Sequence, residues 1–520
     1  MNAPNATAAT QATGRDRPGT WATGAWHALA AAAFALVATL NAAGYRYGVG
    51  DQAFYVPSIL RQIDGRLFPR DSALLDVQSR LLVFDDLLAR ATRVLPASLE
   101  TWFFALYLLT MALLYAGLVR IADRLLLSRW SVAAFVAAAT IRHRIAKTAA
   151  NTLEGYFHPR QLAFAIGLLG LGEVLRGRPA LALAAAVVAG AVHPTTGIWF
   201  VGWIGVALAV EQPRLRPALA AGAALGIAAG IGLLVAGFLP VQRMDDAWLS
   251  TLAGKDYLFA TDWGIDTWLL NAAYPVVIAA TFLARRRRGL TQPGELGLVA
   301  GCLALIGVFV ATLPLVGAHV AFAVQLQISR VFWMADLLTL LGVVWWLSEA
   351  RSSTPAGTPP TPAWTSRSRW VFVAAAVFAL ARGGFALLVE HPERPLFAVA
   401  APADAWSDVT AYLRRATPPG THVLADPDHA WRFGTSLRVL AARDVFLENV
   451  KDEAISMYDR RMAQRVAERR LALGDFERRT APELLALARR FELDVVVSER
   501  DLALPELYRN QQFRVYRLTP

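Results

Sequence analysis

The sequence predicts a polytopic α-helical membrane protein of about eleven spans, closed at its C-terminal end by a small soluble α/β domain. Three observations predict it. Of 520 residues, 56% are hydrophobic and 18% charged, with a mean hydropathy of +0.40; soluble chains average about 45–50% apolar and about 25% charged. Apolar stretches near the ~20 residues that cross a ~30 Å hydrocarbon core recur from Trp26 to Val389. From Glu390 onward the runs give way to mixed helix and strand patterns with 20 basic and 20 acidic residues, so the net charge of +11 belongs to the first 389 positions. That placement fits a positive-inside bias and argues against a nucleic-acid partner.

Residues 1–25, rich in Ala, Thr, Asn and Gly, read as a disordered cytoplasmic tail. The Ala-rich run from Trp26 to Gly44 is longer than the ~7–15-residue core of a signal peptide, which is the competing reading. The bundle, 26–348, is expected to hold spans near 26–45, 99–119, 130–147, 160–175, 179–193, 195–211, 217–239, 267–284, 294–316 and 325–348. A Pro/Ser/Thr-rich cytoplasmic linker, 349–369, leads to the last span, 370–389. The run 179–211 is interrupted at His193-Pro194-Thr195-Thr196-Gly197 and is read as two short helices. The arginines near 15, 120, 176, 214, 285 and 351 all fall on one side, which is the cytoplasm. The other side receives the loop 46–98, the His193 turn and the C-terminal domain. Arg142, His143, Arg144 and Lys147 break this pattern, at the exterior end of the third span. The lone Cys302 excludes an intrachain disulfide.

In the domain 390–520, helices are expected over Asp404–Ala416 and, as one charged amphipathic stretch, over Asp452–Leu473. Strands are expected over Thr421–Ala425, Val439–Leu447, Asp494–Ser498 and Phe513–Leu518. Thr480-Ala-Pro-Glu483 is a capping box with Pro in the first turn, opening a helix to Phe491.

The loop of about fifty residues after the first span is too long for a mere connector. It opens with Gly48-Val49-Gly50-Asp51-Gln52-Ala53-Phe54-Tyr55. A carboxylate there suits a general base acting on an acceptor hydroxyl or amine, and burial against Phe54 and Tyr55 would raise its pKa. Asp is also a favoured helix cap, and 51–64 has the pattern of an amphipathic helix. Asp71, after Leu67-Phe68-Pro69-Arg70, is a second candidate carboxylate or a cap, and Asp85-Asp86 read as a solvated helix face. A second constellation is basic: Arg142, Arg144, His158, Arg160 and His193 belong to exterior span ends. Arg330 lies inside the apolar tenth span, where a charge costs roughly 2.5–3.5 kcal/mol and therefore faces a cavity or a partner. Its forked donor suits phosphate or carboxylate, and Asp336 is the alternative ion-pair partner. Walker A, dinucleotide-binding, zinc and nucleophile-elbow patterns do not occur, so no metal or other cofactor is indicated.

The loops Gly50-Asp51-Gln52-Ala53-Phe54-Tyr55, Leu67-Phe68-Pro69-Arg70-Asp71, Gly155-Tyr156-Phe157-His158-Pro159-Arg160-Gln161 and Ala191-Val192-His193-Pro194-Thr195-Thr196-Gly197, with the tail segment from Trp406 to Thr417, carry a resemblance. In them, and in the order of short tail, span, long exterior loop and soluble end domain, the chain resembles the GT-C superfamily of integral membrane glycosyltransferases, in particular its uncharacterised bacterial members. The resemblance implies transfer of a sugar from a polyprenyl-phosphate donor to a glycan, lipid or protein acceptor at the exterior, periplasmic face of the bacterial inner membrane. It implies Asp51 as the catalytic acidic residue and basic span-end residues as the grip on the lipid phosphate. The chain departs from the family in lacking a paired acidic motif around Asp51. Two other readings of the residues stand beside this one: a transporter or flippase for a lipid-linked or anionic solute, to which broken spans and an intramembrane Arg are suited, and a non-catalytic envelope assembly protein.

Overall fold

The computed structural model describes residues 20–79, 83–95, 97–238, 241–351 and 362–519. The expected disordered tail, up to residue 19, and the middle of the expected linker, 352–361, lie outside the described residues.

Among the described residues, eight helices are long and apolar enough to cross a membrane, the first near the N-terminus and the last ending at Glu390. Two further apolar helices, Arg129–Ala138 and Pro179–Val192, are shorter. The expected span 130–147 is corrected: its helix stops at Ala138 after 10 residues. At 1.5 Å per residue that is about 15 Å, half a hydrocarbon core. The chain then turns into an antiparallel hairpin, Arg144–Ile145 against Ala150–Asn151. The basic residues 142–147 therefore belong to this hairpin and its approach, not to a span.

The centre of the bundle is the helix Pro159–Val174, packed between Leu99–Leu125, Pro179–Val192 and Pro194–Glu211. A Cβ on Gly197 would sit 2.1 Å from the Cα of Gly190, so the last two helices cross backbone to backbone, which only small residues permit in a membrane bundle. The tenth span is also broken. Ala321–Gln325 and Val331–Ser348 are separated by Gln327, held at φ 47°, and a single 3₁₀ turn over Ile328–Arg330. Arg330 thus stands at the head of a helix rather than within one.

The loop after the first span folds into a strand, Tyr45–Arg46, and three helices, Gln52–Ile63, Ser72–Ser79 and Val83–Val94. Asp86 is exposed, but Asp85 is buried without a hydrogen bond to either carboxyl oxygen, so the pair is not the solvated face expected.

The C-terminal domain is built on a five-stranded sheet with strand order Asp444–Val445, His422–Leu424, Val495–Ser498, Arg514–Arg517, Glu506–Arg509. The first three strands run parallel and the last two antiparallel to their neighbours. Asp404 caps the helix Ala405–Ala416, and Glu483 reaches back to the backbone N–H of Thr480 at 2.8 Å, the expected capping box. Two expectations change. The stretch Val439–Leu447 starts as the end of a helical turn, Leu437–Leu440, before the short strand. The long amphipathic helix is two, Asn449–Ser456 and Arg460–Leu473, the second capped by Asp459.

Several contacts tie the domain to the bundle and its first loop, three of them placing the site. Phe397–Ala398 pairs in parallel with Tyr45–Arg46. Asp71 enters the domain, taking hydrogen bonds from Arg438 Nε (2.8 Å) and the backbone of Val445 (2.9 Å) and pairing with Arg465. Gln325 Nε2 donates to the carbonyl of Met457 and Gln327 Nε2 to the hydroxyl of Tyr458, both at 3.0 Å, so the break in the span meets the break between the two domain helices.

Candidate functional site

At this meeting point lies a cavity of about 350 Å³ whose walls include residues of the Asp51, Tyr156–Arg160 and His193 motifs, together with Arg330 and the domain residues around Lys451 and Tyr458. Its construction starts from two glutamines. Gln52 accepts from Gly48 N at 2.6 Å and donates to the carbonyl of Phe157 at 3.0 Å, stapling the Asp51 loop to the Tyr156–Arg160 loop. Gln161 ties the other side, accepting from Glu154 N and donating to the carbonyl of Thr152. Gly50 is held at φ 59°, and a Cβ there would lie 2.5 Å from the Tyr156 ring. Only glycine fits both the left-handed backbone and the ring against it.

The two His-Pro pairs use one device. His158 precedes the helix Pro159–Val174 and its Nδ1 accepts from Arg160 N at 3.1 Å. His193 precedes Pro194–Glu211 and its Nδ1 accepts from Thr196 N at 3.3 Å. A histidine that caps through Nδ1 carries its proton on Nε2. His158 Nε2 accordingly donates to Asp51 Oδ2 at 2.9 Å. The rings stand edge to face, 6.1 Å between centres. Burial holds the His158 imidazole down to about 4, and Arg160 adds to this against the pull of Asp51, so the ring is neutral near pH 7. Burial, with His158 and Arg160 beside it, holds His193 well below the usual histidine range.

Asp51 does not cap Gln52–Ile63; its side chain makes no capping hydrogen bond. Instead Oδ1 accepts from Lys451 Nζ at 2.7 Å while Oδ2 accepts from His158. The expected upward pKa shift is corrected as well. Burial does press in that direction, but Lys451 and the His158 hydrogen bond outweigh it and hold the carboxyl well below the usual range. It is a carboxylate, engaged at both oxygens.

Four cationic side chains line the cavity: Arg160, Lys255, Arg330 and Lys451. Arg160 pairs with Glu154 at 3.1 Å and lies over the Trp333 ring, and Lys255 pairs with Glu453 at 3.0 Å. Arg330 alone of the four makes no ion pair among the described residues, and its Nε is buried without a hydrogen bond. Asp336 is not its partner; that carboxylate takes a 2.8 Å hydrogen bond from His143.

Of the residues singled out in the sequence, Asp51, His158, Arg160, His193 and Arg330 share the cavity. Arg142 stands one residue behind, donating to the carbonyl of Leu153 at 3.0 Å and lying 4.0 Å from Glu154, which lines the cavity. Arg144 is exposed on the hairpin, outside the lining. Asp71 is fully buried in the domain junction, also outside the lining; burial opposes its charge, but Arg438 and Arg465 hold its carboxyl far below the ordinary range. Lys255, Tyr257, Lys451 and Tyr458 line the cavity and carried no motif. One signal was available: the chain has only three lysines among 51 basic residues, and two of them are here. Among the described residues, no group of three or more His, Cys, Asp or Glu side chains is placed to hold a metal ion.

The arrangement offers two acidic side chains, Asp51 and the Arg160-paired Glu154, two neutral imidazoles and an excess of cations, at the heads of two helices whose dipoles also favour an anion. No family model matches the chain, and a search of curated proteins returns no match.

Proposed function

We propose that the protein is a membrane glycosyltransferase that moves a sugar from a polyprenyl-phosphate donor to an acceptor, working at the periplasmic face of a bacterial inner membrane. On this reading the N-terminus is cytoplasmic, the arginines near 120, 176 and 285 face the cytoplasm, and the domain from Glu390 is periplasmic. The observation that carries the reading is the presence of an immobilised carboxylate, Asp51, and a guanidinium without an ion pair among the described residues, Arg330, in one cavity at a break in a span.

The chemistry follows from charge. The acceptor hydroxyl attacks the anomeric carbon as Asp51 takes its proton, the C–O bond to phosphate breaks, and the configuration inverts. The bonding pair leaves on the lipid phosphate, whose added charge Arg330 and Arg160 stabilise in a cavity of low dielectric. His158 fixes the Asp51 carboxylate in orientation through its Nε2–H. Lipid phosphate is a weakly basic leaving group and needs no covalent nucleophile.

Proteoliposomes supplied with radiolabelled polyprenyl-phosphate hexoses and an envelope extract as acceptor test this directly. Asp51→Asn keeps the shape and removes the base, so transfer is expected to fall at least 100-fold, the range of a lost general base. Equal turnover removes Asp51 from its role. Label that crosses the vesicle membrane without being transferred identifies a transporter, the reading that the broken span Ala321–Ser348 also suits.

A further inference from the structure

We infer that Lys451 guards Asp51: it holds the carboxylate in the empty cavity and is drawn away by the anionic group of the arriving donor, so that the base is released only when the leaving group is in place. The inference rests on the transferase reading and goes beyond it, because it gives the C-terminal domain a chemical role.

The two partners of Asp51 differ in freedom. His158 cannot leave: its Nδ1 is committed to the helix cap, its side chain is 2% exposed, and Tyr55 packs edge to face on its ring at 5.5 Å. Lys451 reaches in from the first turn of Asn449–Ser456 on four rotatable bonds, with the Phe54 ring 5.9 Å from Nζ and the like-charged Lys255 lining the same cavity. An ammonium is a compact, rotatable donor, well suited to changing partners. A phosphate bound at Arg330 offers it a second partner within the same cavity.

The consequence for basicity is set by the neighbours of Asp51. Tyr55 comes from its own helix; Glu154, Tyr156, His158 and Arg160 come from the loop stapled to it. His193, Tyr257, Arg330 and Tyr458 face it from further elements. Burial is the largest influence on Asp51 and raises its proton affinity, and Lys451 is the largest one that lowers it. Withdrawing the ammonium therefore turns a poor base into a better one. A carboxylate freed too early would accept a proton from water; the guard couples release to occupancy.

Asp51 reactivity toward a hydrophobic carbodiimide, which modifies protonated carboxyls, reads this without transfer. The full chain in phosphatidylcholine nanodiscs is titrated with pH and Asp51 modification quantified by peptide mass spectrometry. Lys451→Met is expected to raise the half-modification pH by one unit or more, and Lys451→Arg to leave it near wild type, controlling for folding. Polyprenyl monophosphate added to wild type is expected to raise it likewise, and to add nothing in Lys451→Met. An unmoved midpoint in Lys451→Met overturns the guard, as does lipid phosphate that binds by native mass spectrometry yet leaves the wild-type midpoint in place. Lipid phosphate that does not bind at all counts against the transferase reading and removes the displacement with it, while leaving the Lys451→Met shift as a property of the pair.

Discussion

Two aspartates thirty-four positions apart show how neighbours decide what a carboxyl does. Asp51 is ionised because an ammonium and an imidazole N–H meet its two oxygens. Asp85 is buried with no donor at either oxygen, and burial, then Asp86 beside it, pushes its carboxyl up to about 8. Its sign in stability is the reverse of the usual one. Unfolded, it releases its proton near pH 4; folded, it keeps the proton to about 8. Stability is therefore lost as pH rises through that window. Asp85→Asn, which carries no such titration, is expected to stabilise the protein by several kcal/mol, up to about 5, at pH 8 and by little at pH 4. Thermal unfolding in detergent at the two pH values measures it; equal shifts at both would mean that the carboxyl is not titrating there.

At the scale of elements, the informative features are interruptions. Period and length suffice to find the long apolar helices, because a 20-residue apolar run has few other fates. The same reasoning extended the third span through Arg142–Lys147, since an apolar helix followed by a few polar residues looks like a span reaching its interface. What ends the helix at Ala138 is the hairpin formed with residues 150–151, a pairing that no local pattern announces. In the domain, Asp452–Leu473 reads as one helix because charge and period continue across it. Asp459 caps a new start, and the gap places Met457 and Tyr458 against Gln325 and Gln327. The residues of the site that were legible, Asp51, His158, Arg160, His193 and Arg330, sat in Gly- or Pro-marked loops or in an apolar run where a charge stands out. Lys451 sat among other charges on a helix, where only the scarcity of lysine distinguished it.

The junction elements make a prediction of their own. Asp71 joins the first loop to the domain through Arg438, which also takes Asp452 at 2.6 Å, all three buried. Removing one partner of a buried pair leaves an uncompensated charge and costs about 3–5 kcal/mol. Asp71→Asn is expected to lower the free energy of unfolding by that much and to make the segment near Arg438 accessible to protease, while Asp71→Glu recovers part of the loss. A variant with unchanged stability would show that the charge of Asp71 is not what holds the junction.

For the whole molecule, the same buried network fixes how the fold responds to acid. His422, on the strand His422–Leu424, donates from Nδ1 to the carbonyl of Phe491 at 3.1 Å, and its Nε2 is buried with no partner. A proton placed there would be buried without an acceptor. Burial therefore holds the ring down to about 4 against the upward pull of Asp71, and Arg469 and Arg70 add to the lowering. His158 is held to about 4 in the cavity. In the unfolded chain both titrate near about 6.5. Between those values the unfolded state binds protons that the folded imidazoles refuse, so their contribution to stability is complete above about 6.5 and falls as pH drops toward 4, opposite in sign to that of Asp85. The loss from Asp51 and Asp71 begins only lower, since both stay ionised well below the ordinary carboxyl range. His193 is held low as well, so His422→Gln removes one proton of several. It is expected to reduce the slope of stability against pH in the 4–6.5 window by close to one proton's worth, about 1.4 kcal/mol per pH unit at most, and to leave the region below pH 4 unchanged. Unfolding of the full chain at a series of pH values gives that slope, and an identical slope in wild type and His422→Gln would mean that this histidine is already protonated in the fold.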